Sequence, residues 1–225
     1  MDKKEGKEKE ISEEVIPKRK TKEIYVILAF MAGLVILFLI SVSIFNSLKI
    51  FDYEGLTFTK ERFGEIPVFH YYYYINNPIT GNVIAKYNLY LRNDPRENDV
   101  PIEGEIEFLS PQEYHYISVN GTGLEQCPQS SLAIGTLSAF LTNNQLSVKG
   151  ASPESEIAEK EVVPYITCEN TKDRVVILIQ SGNETKIERI GKRCHVISVS
   201  NCEILEAIEK FEVQSILDAR KRAGI

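Results

Sequence analysis

Four cysteines have the most obvious chemistry in this sequence, and all of them follow a long apolar segment near the N-terminus: Cys127, Cys168, Cys194 and Cys202. An even number of cysteines in an exported domain is typical of disulfides, and four cysteines allow three pairings. A Cys194–Cys202 bond is disfavoured if the intervening HVISVS is a strand, because disulfide Cα atoms lie within about 7 Å. A bend would permit that bond. A metal site is less favoured, since the sequence has no C-x₂-C pair.

Cys127 also opens the sequence Cys-Pro-Gln-Ser, directly before a predicted helix. A thiolate at a helix N-terminus is stabilised by the helix dipole, and the pattern resembles the monothiol variant of a thioredoxin-like C-x-x-C site. A membrane-tethered thiol-disulfide protein that uses Cys127 is therefore the alternative function. The favoured interpretation is structural, because no second cysteine follows at the required spacing. Cys127 would then be half of a disulfide, with Pro128 in the first turn of the helix.

Two further patterns are candidates for ligand contact. Arg92 and Arg96 flank an Asn-Asp-Pro turn signal and could bracket an anionic ligand, although a strand-ending turn with an Arg–Asp pair is favoured. The tyrosine run that begins at Tyr71 could form an aromatic platform. Because side chains alternate between the two faces of a strand, two of these tyrosines would point inward and two outward. We select Tyr72 and Tyr74, together with the two arginines, as ligand-contact candidates.

The remaining polar residues form no catalytic pattern. The sequence has no P-loop, G-x-G-x-x-G, G-x-S-x-G or H-E-x-x-H motif, and its histidines are scattered. Glu103, Glu105 and Glu107 would form one solvated strand face rather than a calcium site, which needs an oxygen-rich loop. We therefore predict no catalytic residue, no metal ligand and no cofactor, and we favour a protein that is not an enzyme.

The segment that must position the rest is Ile24–Leu48, which contains no Asp, Glu, Lys, Arg, His or Pro. About 20 apolar residues cross the ~30 Å of bilayer hydrocarbon as a helix. The run exceeds the roughly 7–15 residues of a signal-peptide core, and no A-x-A-like cleavage site follows it. We therefore expect a retained transmembrane helix over residues 24–48.

Flanking charge gives this helix a predicted direction. Basic residues concentrate on its N-terminal side, at Lys18, Arg19, Lys20 and Lys22, whereas Lys49 stands alone on the other side. Because lysine and arginine are enriched in cytoplasmic segments, the N-terminus should be cytoplasmic and the C-terminal domain outside the cell membrane. That placement would make the sequons at Asn120 and Asn183 possible glycosylation sites.

Composition limits the partners. The net charge of −6 argues against nucleic acid, which requires a basic face. We expect the lipid bilayer as one partner and another membrane or cell-surface protein as a second. Residues 1–23 mix lysine and glutamate without aromatic residues, so we expect a disordered cytoplasmic tail.

Hydrophobic periodicity divides the outer region into a β-rich part, residues 49–119, and an α+β part, residues 120–225, packed together as one unit. Strands are predicted in the first part over 53–60, 68–76, 83–91, 102–108 and 114–119. The second part should contain helices over 130–141 and 203–222, the latter capped by Asn201, with hairpins from 162–168 and 174–181 and from 185–190 and 194–200. Residues 151–161 are polar and are predicted to form a loop or an exposed turn. The predicted fold is α+β: a transmembrane helix, then an antiparallel β-meander with two packed helices.

Four segments together resemble an uncharacterised family of small archaeal membrane-anchored proteins. They are YNLYLRNDPR at Tyr87–Arg96, Cys127 before its apolar helix, IQSGNETKIE at Ile179–Glu188, and CHVISVSNCEILEAIEKF at Cys194–Phe211. The resemblance implies a single-pass N-terminal anchor and a paired-cysteine extracytoplasmic domain, but no activity, substrate or catalytic residue. The sequence thus predicts a disulfide-stabilised membrane-anchored protein with a binding, scaffolding or cell-surface role.

Overall fold

The computed structural model describes residues 18–47, 49–77, 80–108, 114–171 and 174–224. The chain divides into two compact units, Met1–Lys49 and Ile50–Ile225. The first contains helix α1 (Lys18–Ser47), of which Lys22–Ile44 is long and apolar enough to cross a membrane by length and composition. The predicted disordered tail lies outside the described residues up to residue 17, whereas residues 18–23 are helical. Lysine, arginine and glutamate are good helix formers, so they extend a helix that the apolar run has already nucleated.

The second unit begins with an antiparallel meander of four strands, which confirms that part of the predicted fold. In sheet order they are β1 (Ile50–Tyr53), β2 (Leu56–Phe63), β3 (Ile66–Asn76) and β4 (Val83–Leu91). The short strand predicted within 53–60 is confirmed as β2, which begins only at Leu56 because the chain turns between β1 and β2. There Glu54 and Gly55 both have positive φ, and Asp52 Oδ1 accepts the Gly55 N–H at 3.0 Å.

The remaining elements build a second, six-stranded sheet and three helices. They are β5 (Ile102–Glu103), β6 (Tyr114–Val119), α2 (Ser130–Asn143), β7 (Ser147–Ala151), α3 (Ser155–Lys160), β8 (Val175–Ser181), β9 (Lys186–Ile190), β10 (Cys194–Val199) and α4 (Ile204–Ala223). The strand order is β5-β9-β10-β8-β6-β7. The β9–β10 pair is antiparallel as predicted, and the other pairs are parallel.

Several predicted elements of this region are wrong. The hairpin of 162–168 with 174–181 does not form, because β8 lies between β6 and β10 and only Tyr165 makes an isolated bridge. The strand over 102–108 ends at Glu103, since Gly104 has a φ of +91° and the chain turns away. The loop over 151–161 contains α3. Asn201 has a φ of +51°, and Glu203 rather than Asn201 occupies the N-cap position of α4.

The helices α2 and α4 lie between the two sheets. One apolar cluster joins the inner face of the meander, both helices and one face of the six-stranded sheet, where Ile177 and Ile179 of β8 contribute. The alternate residues Val176 and Leu178 belong to a second cluster that includes Ile166. β8 is therefore buried on both faces, which is typical of parallel strands covered on both sides.

Candidate functional site: an aromatic cleft beside helix α4

A cleft of about 460 Å³ opens between the meander and the helices. Its walls come from β3, the end of α2 and the last turns of α4, and its lining residues are Tyr71, Tyr73, Tyr74, Phe108, Phe140, Asn144, Ser215, Ile216, Ala219, Arg220 and Ala223. Small-molecule sites in proteins have volumes of about 300–1,000 Å³ and are mostly apolar with a few placed polar groups. The cleft has the volume and the lining of such a site.

The aromatic wall follows from strand alternation. Tyr71 and Tyr73 point inward from β3, and Tyr87 of β4 lies directly opposite Tyr73 in the register. Ring centroids lie 6.0 Å apart for Tyr71 and Tyr73, 5.4 Å for Tyr73 and Tyr87, and 5.9 Å for Tyr87 and Phe140 of α2. Successive rings at these distances attract each other beyond their area of burial, so they form one continuous wall.

Hydrogen bonds fix the polar groups of the cleft. The Tyr73 hydroxyl donates to Asn144 Oδ1 at 2.6 Å, and burial raises the pKa of Tyr73 well above its ordinary value. Burial also raises the pKa of Tyr71, an effect that the neighbouring Arg220 guanidinium partly offsets. Both phenols are therefore neutral hydrogen-bonding groups at physiological pH.

Arg220 places a positive charge on this cleft. One of its terminal nitrogens donates to the Gly55 carbonyl at 2.6 Å, which holds the side chain against the first turn of the meander. Within the described residues no carboxylate pairs with Arg220, and a guanidinium carries five N–H donors in a fork that fits an anion. An apolar wall beside a fixed guanidinium suits a ligand with an apolar body and an acidic group.

Two buried carboxylates, Glu212 and Glu209, lie about two and three turns before Arg220 on α4. Glu209 accepts hydrogen bonds from the Arg92 N–H at 2.5 Å, the Asn93 N–H at 3.1 Å and Asn93 Nδ2 at 2.9 Å. Burial outweighs these donors and raises the pKa of Glu209 to about 7. Burial also raises the pKa of Glu212 well above its ordinary value, and among the described residues Glu212 Oε1 has no hydrogen-bond partner. Glu209 therefore fastens the turn after β4 to α4, and burial favours the protonated form of Glu212.

Sequence reasoning missed most of these residues. Arg220 falls in the last turn of the helix predicted over 203–222, and Asn144 falls just after the helix predicted over 130–141, so neither stood out as a site residue. A detectable signal existed on α4, where Glu209 and Glu212 interrupt a stripe of buried apolar residues at Ile208, Phe211 and Val213. Carboxylates on the buried side of an amphipathic helix point to specific hydrogen bonding or to a perturbed pKa.

Of the predicted ligand contacts, Arg96 is separated from the other three in the structure. Tyr72 and Tyr74 point outward from β3, and Tyr74 also reaches the rim of the cleft. Arg96 forms the turn pair with Asp94, with Nη2 2.5 Å from Oδ2, and its guanidinium lies 3.9 Å from the Phe51 ring centroid. Arg92 instead lies near Phe63 and Tyr90 on the outward side. The two arginines therefore do not face a common ligand.

The four cysteines form two disulfides, as predicted, and Cys194 does not pair with Cys202. Cys127 bonds to Cys202 with Cα atoms 5.2 Å apart, and Cys168 bonds to Cys194 with Cα atoms 5.5 Å apart. Because Cys127 is buried and its sulfur is bonded, the interpretation of Cys127 as a reactive monothiol is wrong. The Cys127–Cys202 bond joins the loops after β6 and β10. These loops follow the carboxyl ends of parallel strands, where open α/β sheets usually bind ligands. In this domain a disulfide links the two loops at that edge of the sheet.

The two sequons differ in their surroundings. Asn120 is half-buried after β6, and its Oδ1 accepts the Thr122 N–H at 3.0 Å. Asn183 is exposed in the loop between β8 and β9. Of the two, Asn183 has the better access for a bulky glycan.

Comparison with protein-family models, curated proteins and solved structures found no match to this chain. The resemblance to archaeal membrane-anchored proteins therefore stays a prediction.

Proposed function

We propose that this chain is a single-pass membrane protein whose disulfide-bonded domain lies outside the membrane and binds a small apolar carboxylate in the aromatic cleft. The apolar span Lys22–Ile44 supports the anchor, and two disulfides suggest an oxidising compartment. The excess of lysine and arginine before the span supports the direction. The observation that carries the binding function is the cleft itself, with Arg220 fixed beside its aromatic wall.

Binding would proceed by separate apolar and charged contacts. The ligand body would displace water from the rings of Tyr71, Tyr73 and Phe140, which gains free energy in proportion to the apolar area buried. Its carboxylate would accept hydrogen bonds from Arg220, and a hydrogen bond to a charged group contributes roughly 1.5–3 kcal/mol. The Ser215 hydroxyl already donates to the Phe211 carbonyl at 2.7 Å, so Arg220 provides the main specificity.

Calorimetric titration of the full-length protein in nanodiscs with naphthoate tests this proposal, with empty nanodiscs subtracted. We expect naphthoate to bind and the neutral analogue naphthylmethanol to bind about tenfold more weakly. Arg220→Gln should weaken naphthoate binding to a similar extent, and Ala219→Trp should abolish it by filling the cleft. Arg62→Gln, an exposed change on β2 outside the cleft, is the control. Equal naphthoate binding by the Ala219→Trp variant and the control would refute the proposed site.

Membrane topology has its own test. Single cysteines at Ser12→Cys, in the N-terminal segment, and at Glu156→Cys, exposed on α3, can be probed in intact cells with a membrane-impermeant maleimide. We expect the Glu156→Cys variant to react in intact cells and the Ser12→Cys variant to react only after lysis. The reverse labelling pattern would overturn the proposed direction of the chain.

A further inference from the structure

The outward face of the meander carries a second aromatic surface, which shares only Tyr74, at the rim, with the lining of the cleft. We name it the outer aromatic row, and in order of contact it comprises Phe63, Tyr90, His70, Tyr72 and Tyr74. Successive ring centroids lie 5.1, 4.5, 6.1 and 6.0 Å apart. Strand alternation produces the row. Its three members from β3 are His70, Tyr72 and Tyr74, and they alternate along the strand with the inward-facing Tyr71 and Tyr73.

The rings of this row are open to solvent and held in place. Phe63, Tyr90, Tyr72 and Tyr74 expose between 40% and 57% of their surface. His70, at the centre, contacts Glu61 Oε1 through Nδ1 at 2.8 Å and Asn88 Oδ1 through Nε2 at 3.1 Å. Contiguous exposed apolar surface of this kind marks interaction sites, and a held ring loses little entropy on binding.

Positive charges flank the row on a chain whose net charge is −6. Lys86 Nζ lies 3.8 Å from the Tyr72 ring centroid. At the other end, Arg92 lines a depression of about 210 Å³ together with Phe63 and Tyr90. Among the described residues neither cation has an ion-pair partner, and the nearby Glu209 carboxylate is held by backbone N–H groups of the turn. The row therefore matches a long ligand that carries negative charge.

We propose that the outer aromatic row binds an extended acidic polysaccharide. The apolar C–H faces of pyranose rings would stack on the exposed rings, and sugar hydroxyls would bond to Asn88 and to the tyrosine hydroxyls. Acidic groups of the polymer would contact Lys86 and Arg92. Single-stranded nucleic acid could also stack on aromatic rings, but its binding relies on a continuous positively charged groove along the backbone. Two separated cations better fit an acidic polysaccharide, whose negative charges are more widely spaced than those of a nucleic acid.

Affinity electrophoresis of the full-length protein in zwitterionic nanodiscs tests the inference, with alginate as the acidic polymer. We expect alginate to retard the protein and neutral dextran to leave its mobility unchanged. Tyr72→Ala should weaken alginate binding about tenfold, the effect of removing one stacking ring. Arg92→Gln should weaken it and reduce its salt dependence, because a screened charge contact is lost. Arg62→Gln, on the opposite face of the same sheet, is the matched control.

Several results would overturn the inference: equal alginate binding by Tyr72→Ala and Arg62→Gln, retardation by dextran as strong as by alginate, or a stronger effect of oligothymidylate or anionic vesicles than of alginate. Tyr72 is exposed and outside the core, so its replacement should leave the fold intact, which thermal unfolding would verify. Naphthoate titration of the Tyr72→Ala variant separates the two sites, because the cleft lies on the other side of the sheet and its binding should be unchanged.

Discussion

The Tyr73 hydroxyl and the Asn144 side-chain oxygen, 71 residues apart in sequence, form a hydrogen bond of 2.6 Å between β3 and the end of α2. Asn144 is itself held by a bond from its Nδ2 to the Phe140 carbonyl at 2.7 Å. The contact thus ties the meander to the helical layer at the wall of the cleft. The bonded Tyr73 ring contacts Tyr87, which in turn contacts Phe140.

Removing this hydroxyl should destabilise the domain. For Tyr73→Phe we expect the free energy of unfolding to fall by about 1 kcal/mol, since the half-buried Asn144 oxygen loses its donor. Tyr72→Phe, which removes an outward hydroxyl on the same strand, is the control and should have no measurable effect. Urea denaturation followed by circular dichroism provides the measurement, and equal midpoints for the two variants would contradict the assigned role.

Glu212 should make the domain less stable as the pH rises. Its pKa is raised by burial, so the folded state keeps a proton that the unfolded state has released, and stability falls above the ordinary pKa of glutamate. The fall is about 1.4 kcal/mol per pH unit while that difference holds. We expect Glu212→Gln to reduce the decline in urea midpoint between pH 5 and pH 8, and part of the decline to remain because burial also raises the pKa of Glu209 to about 7. Glu156→Gln, on the surface, should retain the wild-type slope.

His195 should have the opposite effect in acid. Burial lowers the pKa of His195 to about 4, so its neutral form belongs to the folded state and protonation favours unfolding. The stability from this residue is present above the unfolded pKa of about 6.5 and is lost as the pH falls toward 4, an effect on the order of 3 kcal/mol. His195→Phe, which keeps a ring beside Phe108 and Phe211, should weaken the acid dependence of the melting temperature. If the melting temperature of the variant falls in acid as steeply as that of the wild type, His195 is not the source of the acid dependence.

The two disulfides should contribute unequally. Loss of loop entropy in the unfolded chain predicts about 4.5 kcal/mol for Cys127–Cys202, which spans 75 residues, and about 3.5 kcal/mol for Cys168–Cys194, which spans 26. We therefore expect the Cys127→Ala/Cys202→Ala double variant to melt at a lower temperature than the Cys168→Ala/Cys194→Ala variant. Calorimetry under non-reducing conditions measures the difference, and the reverse order would contradict the prediction.

Local patterns of the sequence predicted the meander but not the second sheet. The strand predicted over 83–91 is confirmed as β4, and two tyrosines of the run, Tyr71 and Tyr73, face inward while two face outward, as strand alternation predicts. In β8 every residue from Val175 to Ile179 is buried, so the sequence of this strand shows no alternation of apolar and polar residues. Parallel pairing of β6 with β8 joins segments far apart in the chain, which no local pattern encodes.

The cleft was less accessible to sequence reasoning than the fold. Its polar groups come from separate elements: Tyr73 from β3, Asn144 from the end of α2 and Arg220 from the last turn of α4. Each residue has an ordinary local explanation as strand, helix end or dipole complement. Only the packing of α4 against the meander brings them to one cavity, and that packing depends on tertiary contacts over more than a hundred residues.

The nested arrangement of the two disulfides bears on how the domain matures. In a chain that enters the oxidising compartment from residue 49 onward, the cysteines would emerge in the order 127, 168, 194, 202, so the first thiol available to Cys127 is Cys168 rather than its native partner. Correct pairing would then depend on thiol–disulfide exchange or on early folding of β6 and α2. Cys202 lies just before α4, so the outer bond can close only after the whole segment that contains the inner bond has emerged.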